Sequence, residues 1–162
     1  MNIEEQVIAS MGDLYNKIGW LNRLKLEESF KDDSLISYKY SEISCIEYIG
    51  KNTDANVTKL AGSLRMTRGA LSKMTRKLIK KGVIESYRKP DNKKEIYFRL
   101  TGQGKIVYDI HEEMHHRFIE RDKVVFKRVT EEEITTVLKF LEKYSSHLDT
   151  EIEKMGIDIK AE

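Results

Sequence analysis

The run His111-Glu112-Glu113-Met114-His115 has the residue types and spacing of a zinc-dependent hydrolase, His-Glu-x-x-His. Two histidines four residues apart on a helix point the same way, so they can bind one Zn²⁺ beside a glutamate acting as general base. The longer metzincin pattern fails, because Phe118 stands in place of its glycine and Arg121 in place of its third histidine. We therefore assign no catalytic residues and predict that the chain is not an enzyme, with a zinc metallopeptidase as a remote alternative.

A second possible chemistry comes from the charge of residues 58–105. They hold 14 lysines and arginines against three acidic residues, although the whole chain has a net charge of only +2. A basic segment attracts polyphosphate, because each phosphate that it neutralises releases bound counterions. This distribution predicts double-stranded DNA as the partner. The competing interpretation, a merely solvated basic face, does not account for the helix caps and strand spacing found in the same segment.

The elements that must position these charges are two helices followed by two strands. Residues 57–64 have the pattern of a short helix, and Thr67 is a cap for a second helix that runs to residue 81 and ends at Gly82. Residues 83–89 and 95–100 alternate as strands around a polar turn. The major groove of DNA admits one α-helix, whose N-terminal residues meet the base edges. The pattern predicts a helix–turn–helix with an adjoining hairpin, or wing.

Amphipathic helices flank this segment on both sides. They are predicted over residues 2–28, from a Ser41 cap to a left-handed Gly50, over 102–126, and from Thr130 onward. The fold class is mainly α (α+β), with the winged helix–turn–helix embedded in a helical dimerisation domain. The last helix carries an apolar stripe formed by Ile134, Val137, Leu138 and Leu141. This stripe needs a partner, either a second copy or another part of the same chain.

At this point the chain resembles the multiple-antibiotic-resistance-regulator (MarR) family. The residues that carry the resemblance are Val57-Thr58-Lys59-Leu60-Ala61, Leu64, Met66-Thr67-Arg68-Gly69-Ala70-Leu71-Ser72-Lys73, Leu78, Lys81-Gly82-Val83-Ile84-Glu85, Leu100-Thr101 and Gly104. It covers about residues 5–150 and implies a homodimeric repressor that binds palindromic operators and is released by a small-molecule signal. Residues 67–77 would lie in the major groove and the wing against the minor groove.

The residues expected to contact DNA are polar, basic or small residues of the two helices and the wing. They are Thr58, Thr67, Arg68, Gly69, Ser72, Lys73, Arg76, Lys77, Asn92, Lys93 and Lys94. Five positions, which make four departures, differ from the family pattern. Arg65 stands at the turn, where a small or left-handed-tolerant residue is usual, and Arg76 where an acidic one is frequent. Asn92 replaces the acidic residue of the wing, and Lys93 and Lys94 replace its arginines, losing the planar fork of guanidinium.

The resemblance also implies a ligand cleft between the outer helices and the DNA-binding lobe. We assign Trp20, Tyr40, Tyr48, His111 and His115 to it, although aromatic residues at these spacings fit core and dimer packing equally well.

A zinc-responsive regulator that uses His111 and His115 is the alternative, and no other cofactor is expected. No histidine precedes His111 in the sequence. A further ligand would therefore come from the N-terminal part of the chain: Glu27, Glu28, Asp32, Asp33, Glu42 or Cys45.

We expect one MarR-like domain over residues 1–162. Residues 1–50 would serve dimerisation and the cleft, 51–101 form the winged helix–turn–helix, and 102–162 complete the dimer. Cys45, the single cysteine, is expected to be a buried thiol, with a redox switch as the alternative. The lack of a long apolar run or signal peptide predicts a cytoplasmic protein with no membrane contact. A protein that coats DNA without sequence preference is a further alternative function.

Overall fold

The computed structural model describes residues 1–29 and 38–156, which fall into two compact units, Met1–Tyr38 and Lys39–Glu162. The first unit contains helix α1, Ile3–Ser29, as the sequence predicted. Its apolar side chains are largely exposed, including Leu14 at 58% and Trp20 at 65%.

The second unit is mostly helical with one small antiparallel sheet. Its elements in chain order are α2 (Tyr40–Lys51), β1 (Ala55–Asn56), α3 (Val57–Leu64), α4 (Arg68–Lys80), β2 (Ile84–Lys89), β3 (Asn92–Leu100), α5 (Gly102–Phe126) and α6 (Glu131–Lys154). The strands lie in the order β1-β3-β2. The arrangement is a winged helix–turn–helix with helices before and after it, which confirms the predicted fold class.

Threonine caps fix three of the helix starts that the sequence predicted. The Thr67 hydroxyl accepts a hydrogen bond from Ala70 N at 3.2 Å, and the Thr101 hydroxyl accepts one from Gly104 N at 3.1 Å. Thr130 and Glu133 form a reciprocal capping box at the start of α6. Each cap satisfies backbone donors that a helix start leaves without partners.

The predicted ends of α2 are wrong at both termini. The helix begins at Tyr40 after Lys39, which makes no side-chain cap, so Ser41 lies within the first turn. Gly50 lies inside the helix and does not adopt a positive φ. Glycine is required at this position because a larger residue would clash: a Cβ atom there would lie 2.5 Å from the Tyr108 ring of α5.

Two features of the sheet were not predicted. The sequence pattern did not indicate a strand before residue 57, but Ala55 and Asn56 form β1 and pair with Phe98 and Tyr97 of β3. A two-residue strand is too short to show the alternation of apolar and polar residues that indicates a strand in sequence. The turn of the hairpin is also shorter than expected, since β3 already begins at Asn92.

The core of the second unit lies between the helix–turn–helix and the sheet. Its largest fully buried side chains come from α2, α3, α4, β2 and the residue just before β2: Cys45, Ile46, Leu60, Leu71, Leu78, Val83 and Ile84. Val107 and Met114 of α5 are also buried, whereas α6 buries no residue in the chain as described. The helix–turn–helix is thus built on a packed core, and α6 presents its apolar side to solvent.

Gly104 permits the close approach of α5 to the start of the wing, and Gly104→Ala is expected to destabilise the protein. A Cβ atom at this position would lie 1.8 Å from the Val83 carbonyl oxygen. Alanine normally stabilises a helix relative to glycine by about 1 kcal/mol, but the clash should reverse the sign and cost roughly 1–3 kcal/mol. Denaturant unfolding measures this, with Gly102→Ala as control, because nothing lies within 4 Å of a Cβ there. Equal stability of the two variants would contradict the packing.

Candidate nucleic-acid interface

Helix α4 presents one apolar and one polar face. Leu71, Met74, Thr75 and Leu78 are buried against the core. The residues predicted to contact DNA lie on the other side, where all are exposed except the half-buried Ser72: Thr67, Arg68, Gly69, Ser72, Lys73, Arg76 and Lys77. Residues 67–70 at the start of the helix are exposed, and a helix N-terminus attracts phosphate anions. Thr58, at the second position of α3, is half-buried.

Arg65 forms the turn between α3 and α4 in a left-handed conformation, with φ 53° and ψ 48°. For a residue with a Cβ atom this conformation costs about 1–2 kcal/mol, as the sequence analysis expected for this departure. The Arg65 side chain also makes a contact that the sequence did not suggest. Its Nη1 atom lies 2.5 Å from Asp149 Oδ1 of α6, so the turn is joined to the last helix by an ion pair.

The C-terminal half of α4 is joined to α2 through Glu42, whose side chain is only 3% exposed. Lys77 Nζ lies 2.7 Å from one carboxylate oxygen of Glu42, and Lys81 Nζ lies 3.4 Å from the other. Burial alone would raise the pKa of Glu42. The hydrogen bond from Lys77 and the positive charges of both lysines outweigh it and lower the pKa below its ordinary value. Lys77 thus faces a buried carboxylate.

The wing is stiffened by contacts across its turn. Asn92 Oδ1 accepts hydrogen bonds from the backbone N–H groups of Lys94 and Glu95, each at 3.3 Å. Arg88 of β2 donates a side-chain hydrogen bond to the carbonyl oxygen of Lys93. Lys93 and Lys94 are both exposed, within the first residues of β3. Asn92 therefore shapes the turn, and the two lysines project from an ordered hairpin.

Asp54 anchors the base of the wing, a role that the sequence analysis missed. Its carboxylate accepts hydrogen bonds from Tyr87 Oη at 2.7 Å and from Lys89 Nζ at 2.6 Å. These two hydrogen bonds, with Lys89 first, lower the pKa of Asp54. Tyr87 in turn stacks on Tyr97, with ring centroids 5.5 Å apart. An aspartate tolerates the left-handed backbone found here, φ 59°, but no local pattern indicates its distant partners.

The residues assigned to a ligand cleft are only partly brought together. His111 and His115 are neighbours on α5, with ring centroids 6.1 Å apart, and Tyr48 is half-buried on α2. Tyr40 is 88% exposed at the start of α2, and Trp20 belongs to the first unit. The cleft assignment stays a prediction.

The histidine pair lies in a network of charged groups between α2 and α5. His111 Nε2 lies 3.2 Å from Glu47 Oε2, and Lys51 Nζ lies 2.6 Å from Glu47 and 3.2 Å from Glu112. Glu112, the glutamate of the His-Glu-x-x-His run, therefore faces a lysine.

The carboxylate beside His111 is Glu47, which was not among the metal donors considered. Within residues 1–29 and 38–156, no group of three or more His, Cys, Asp or Glu is arranged to hold a metal ion. Asp32 and Asp33 lie outside the described residues, as do the side chains of Glu27 and Glu28. The zinc-responsive alternative stays untested.

Cys45 is fully buried in α2. Burial raises the pKa of its thiol to about 12, so the reactive thiolate is not formed near neutral pH. The predicted burial of the thiol is confirmed, and its low reactivity stays a prediction.

None of the helices described here is both long enough and apolar enough to cross a bilayer.

A capped, solvent-facing α4 beside a basic hairpin defines the class of winged-helix DNA-binding proteins. The MarR family model matches residues 39–96. The HTH-type transcriptional regulator PchR of Bacillus subtilis (strain 168) is 33% identical over 148 residues, covering 86% of this chain and 88% of PchR.

Solved structures agree on the fold. The Streptococcus pneumoniae FabT complex with DNA superposes with a TM-score of 0.75 at 20% identity, over 91% of this chain and 98% of that chain. A MarR protein from Peptoclostridium difficile gives 0.67 at 24% identity, over 92% of this chain and 91% of that one. The chain belongs to the MarR family. It is a DNA-binding transcriptional regulator and not an enzyme, as predicted.

Proposed function

We propose that the protein is a homodimeric, sequence-specific repressor that binds palindromic operators and is released by a small-molecule signal in the cytoplasm. The observation that carries the proposal is the exposed face of α4. Arg68, Lys73 and Arg76 lie there on the solvent side, opposite a buried apolar stripe. Guanidinium and ammonium groups spaced along such a helix suit contacts with base edges and phosphates in the major groove. The FabT structure, which has the same fold, contains DNA.

The exposed apolar side of α6 supports a second copy of the chain as partner. Val137, Leu138 and Leu141 are 56%, 54% and 43% exposed, so no packing among the described residues covers them. Large apolar areas of this kind are costly in water and mark interaction surfaces. A two-fold dimer also presents two recognition helices, and the symmetry of a palindrome matches that arrangement.

Release by a signal would act on the separation of the two recognition helices. A ligand that favours another separation shifts the population away from the DNA-bound form. The charged network of Glu47, Lys51, His111 and Glu112 between α2 and α5 supports this region as the responsive one, because a bound charge would rearrange it. A screen of small aromatic and acyl compounds, and of Zn²⁺, for loss of DNA binding tests this step. A response to Zn²⁺ that disappears in His111→Ala with His115→Ala would select the zinc-responsive alternative.

Sedimentation of the protein with a duplex selected from random DNA tests the dimer and the specificity together. We expect two chains per duplex and an affinity at least about 10³-fold above that for unrelated DNA at the same salt concentration. One chain per duplex, or similar affinity for both DNAs, would contradict the proposal. The latter result would select the DNA-coating alternative.

The wing lysines are expected to act through phosphate. Lys93→Ala with Lys94→Ala should weaken binding to all sequences and reduce the slope of log affinity against log salt by about 0.9 for each phosphate that is no longer neutralised. Lys105→Ala is a matched control, an exposed lysine on α5 that is paired with Asp109. Fluorescence anisotropy at several salt concentrations gives the slopes. An unchanged slope in the double variant would mean that the wing does not touch DNA.

A further inference from the structure

Glu42 is a buried acidic residue whose ion pairs with Lys77 and Lys81 connect it to the recognition helix and to the residue at its end. It belongs to α2, 35 residues from Lys77 and 39 from Lys81, so these are tertiary contacts. Lys77 and Lys81 are four residues apart and therefore lie on the same side of α4. One carboxylate thus holds two successive turns at the C-terminal end of the helix.

The position of Glu42 makes this contact hard to break. Its side chain is 3% exposed, so water cannot replace a missing partner, whereas the side chain of Lys77 is 48% exposed. Removing one member of a buried ion pair leaves an uncompensated charge, which is strongly unfavourable. If Lys77 turned to a DNA phosphate, the buried carboxylate of Glu42 would lose its 2.7 Å partner and keep only the 3.4 Å contact with Lys81. The same lysine is therefore poorly placed to serve as a phosphate contact.

We propose that Glu42 is a positioning residue for operator recognition: it fixes the C-terminal half of α4 and withholds Lys77 from phosphate, leaving the contacts to Arg68, Lys73 and Arg76. This assigns Lys77, expected from sequence to contact DNA, a role inside the protein. The inference rests on the proposed sequence-specific binding. It adds a residue of α2 that acts on specificity without touching DNA.

The test compares glutamine variants by the salt dependence of binding to a random duplex. Lys73→Gln removes an exposed lysine of the same helix and should lower the log–log slope by about 0.9. Lys77→Gln should leave the slope unchanged. Glu42→Gln should raise it by about 0.9, because Lys77 becomes available to phosphate. The double variant Glu42→Gln with Lys77→Gln should return the slope to that of the parent.

A second readout is the ratio of operator to random-DNA affinity. Both Glu42→Gln and Lys77→Gln should lower it by about tenfold, the scale of a single bidentate base contact. A purely structural role for Glu42 would reduce stability without raising the salt slope, and that result would overturn the proposal. If Glu42→Gln does not fold, the Lys77→Gln variant alone still tests the proposal. If Lys77→Gln lowers the salt slope as much as Lys73→Gln does, Lys77 contacts phosphate and the proposal is overturned.

The operator preference of the parent chain separates this inference from the proposed function. If the parent chain binds operator and random DNA equally, the proposed function fails, and the positioning role fails with it. If Lys73→Gln behaves as expected and Lys77→Gln matches it, only the role of Glu42 fails.

Discussion

Leu138→Asp with Leu141→Asp is expected to produce a monomer that binds the operator about 10²–10⁴-fold more weakly than the parent, the range by which linking two binding modules raises affinity. Both side chains are about half exposed on α6, and each new carboxylate would have to be desolvated if the stripe packed against a second copy. The weaker binding arises because a monomer presents one recognition helix and the operator offers two half-sites. Sedimentation velocity measures the association, and anisotropy measures the affinity.

The matched control for this prediction is Thr136→Asp with Thr150→Asp. Both threonines are exposed and lie away from the stripe, and their hydroxyls donate only to carbonyl oxygens within α6 among the hydrogen bonds observed. The control adds the same charge to the same helix and should remain a dimer with nearly parental affinity. A leucine double variant that also stays dimeric would place the interface elsewhere.

Arg68→Ala is expected to lower affinity for the operator by roughly 10- to 100-fold, since a bidentate contact to guanine contributes about 1–3 kcal/mol of discrimination. Arg68 is the first residue of α4, directly after the Thr67 cap, where a recognition helix meets base edges. Affinity for random DNA should fall much less. Arg68→Lys should recover little of the specificity, because ammonium lacks the planar fork of guanidinium.

Arg76→Ala provides the comparison for Arg68. Arg76 lies two turns further along α4, is exposed, and is expected to contact phosphate. Its replacement should weaken binding to operator and random DNA by the same factor and lower the salt slope. If Arg68→Ala shows that same uniform effect, Arg68 contacts phosphate and the assignment of base recognition to it is wrong.

The helix–turn–helix was predictable because its signals are local. The sequence shows the capping threonine at the helix start, the apolar residues at helical spacing and the glycine at the helix end. That glycine, Gly82, does adopt a positive φ of 78°. The left-handed Arg65 could be anticipated from its place between two helices. These features depend on residues within a few positions of one another.

The contacts that join the elements were not predictable in the same way. Glu42 with Lys77, Asp54 with Tyr87, and Arg65 with Asp149 connect residues 33 or more positions apart. Each uses a common surface residue type whose partner is decided only by packing. Gly50 shows the same limit, since its nearness to Tyr108 makes it necessary inside a helix where sequence suggested an end.

Selection of bound sites from random duplex DNA tests directly whether this protein binds a specific DNA sequence as a dimer. We expect enrichment of one two-fold-symmetric sequence whose half-sites are about one helical turn apart, because two recognition helices related by symmetry enter successive major grooves. Repeating the selection with Arg68→Ala should relax the preference at symmetric positions in both half-sites. If the parent protein enriches no sequence, or one without symmetry, dimeric binding to a specific sequence is contradicted.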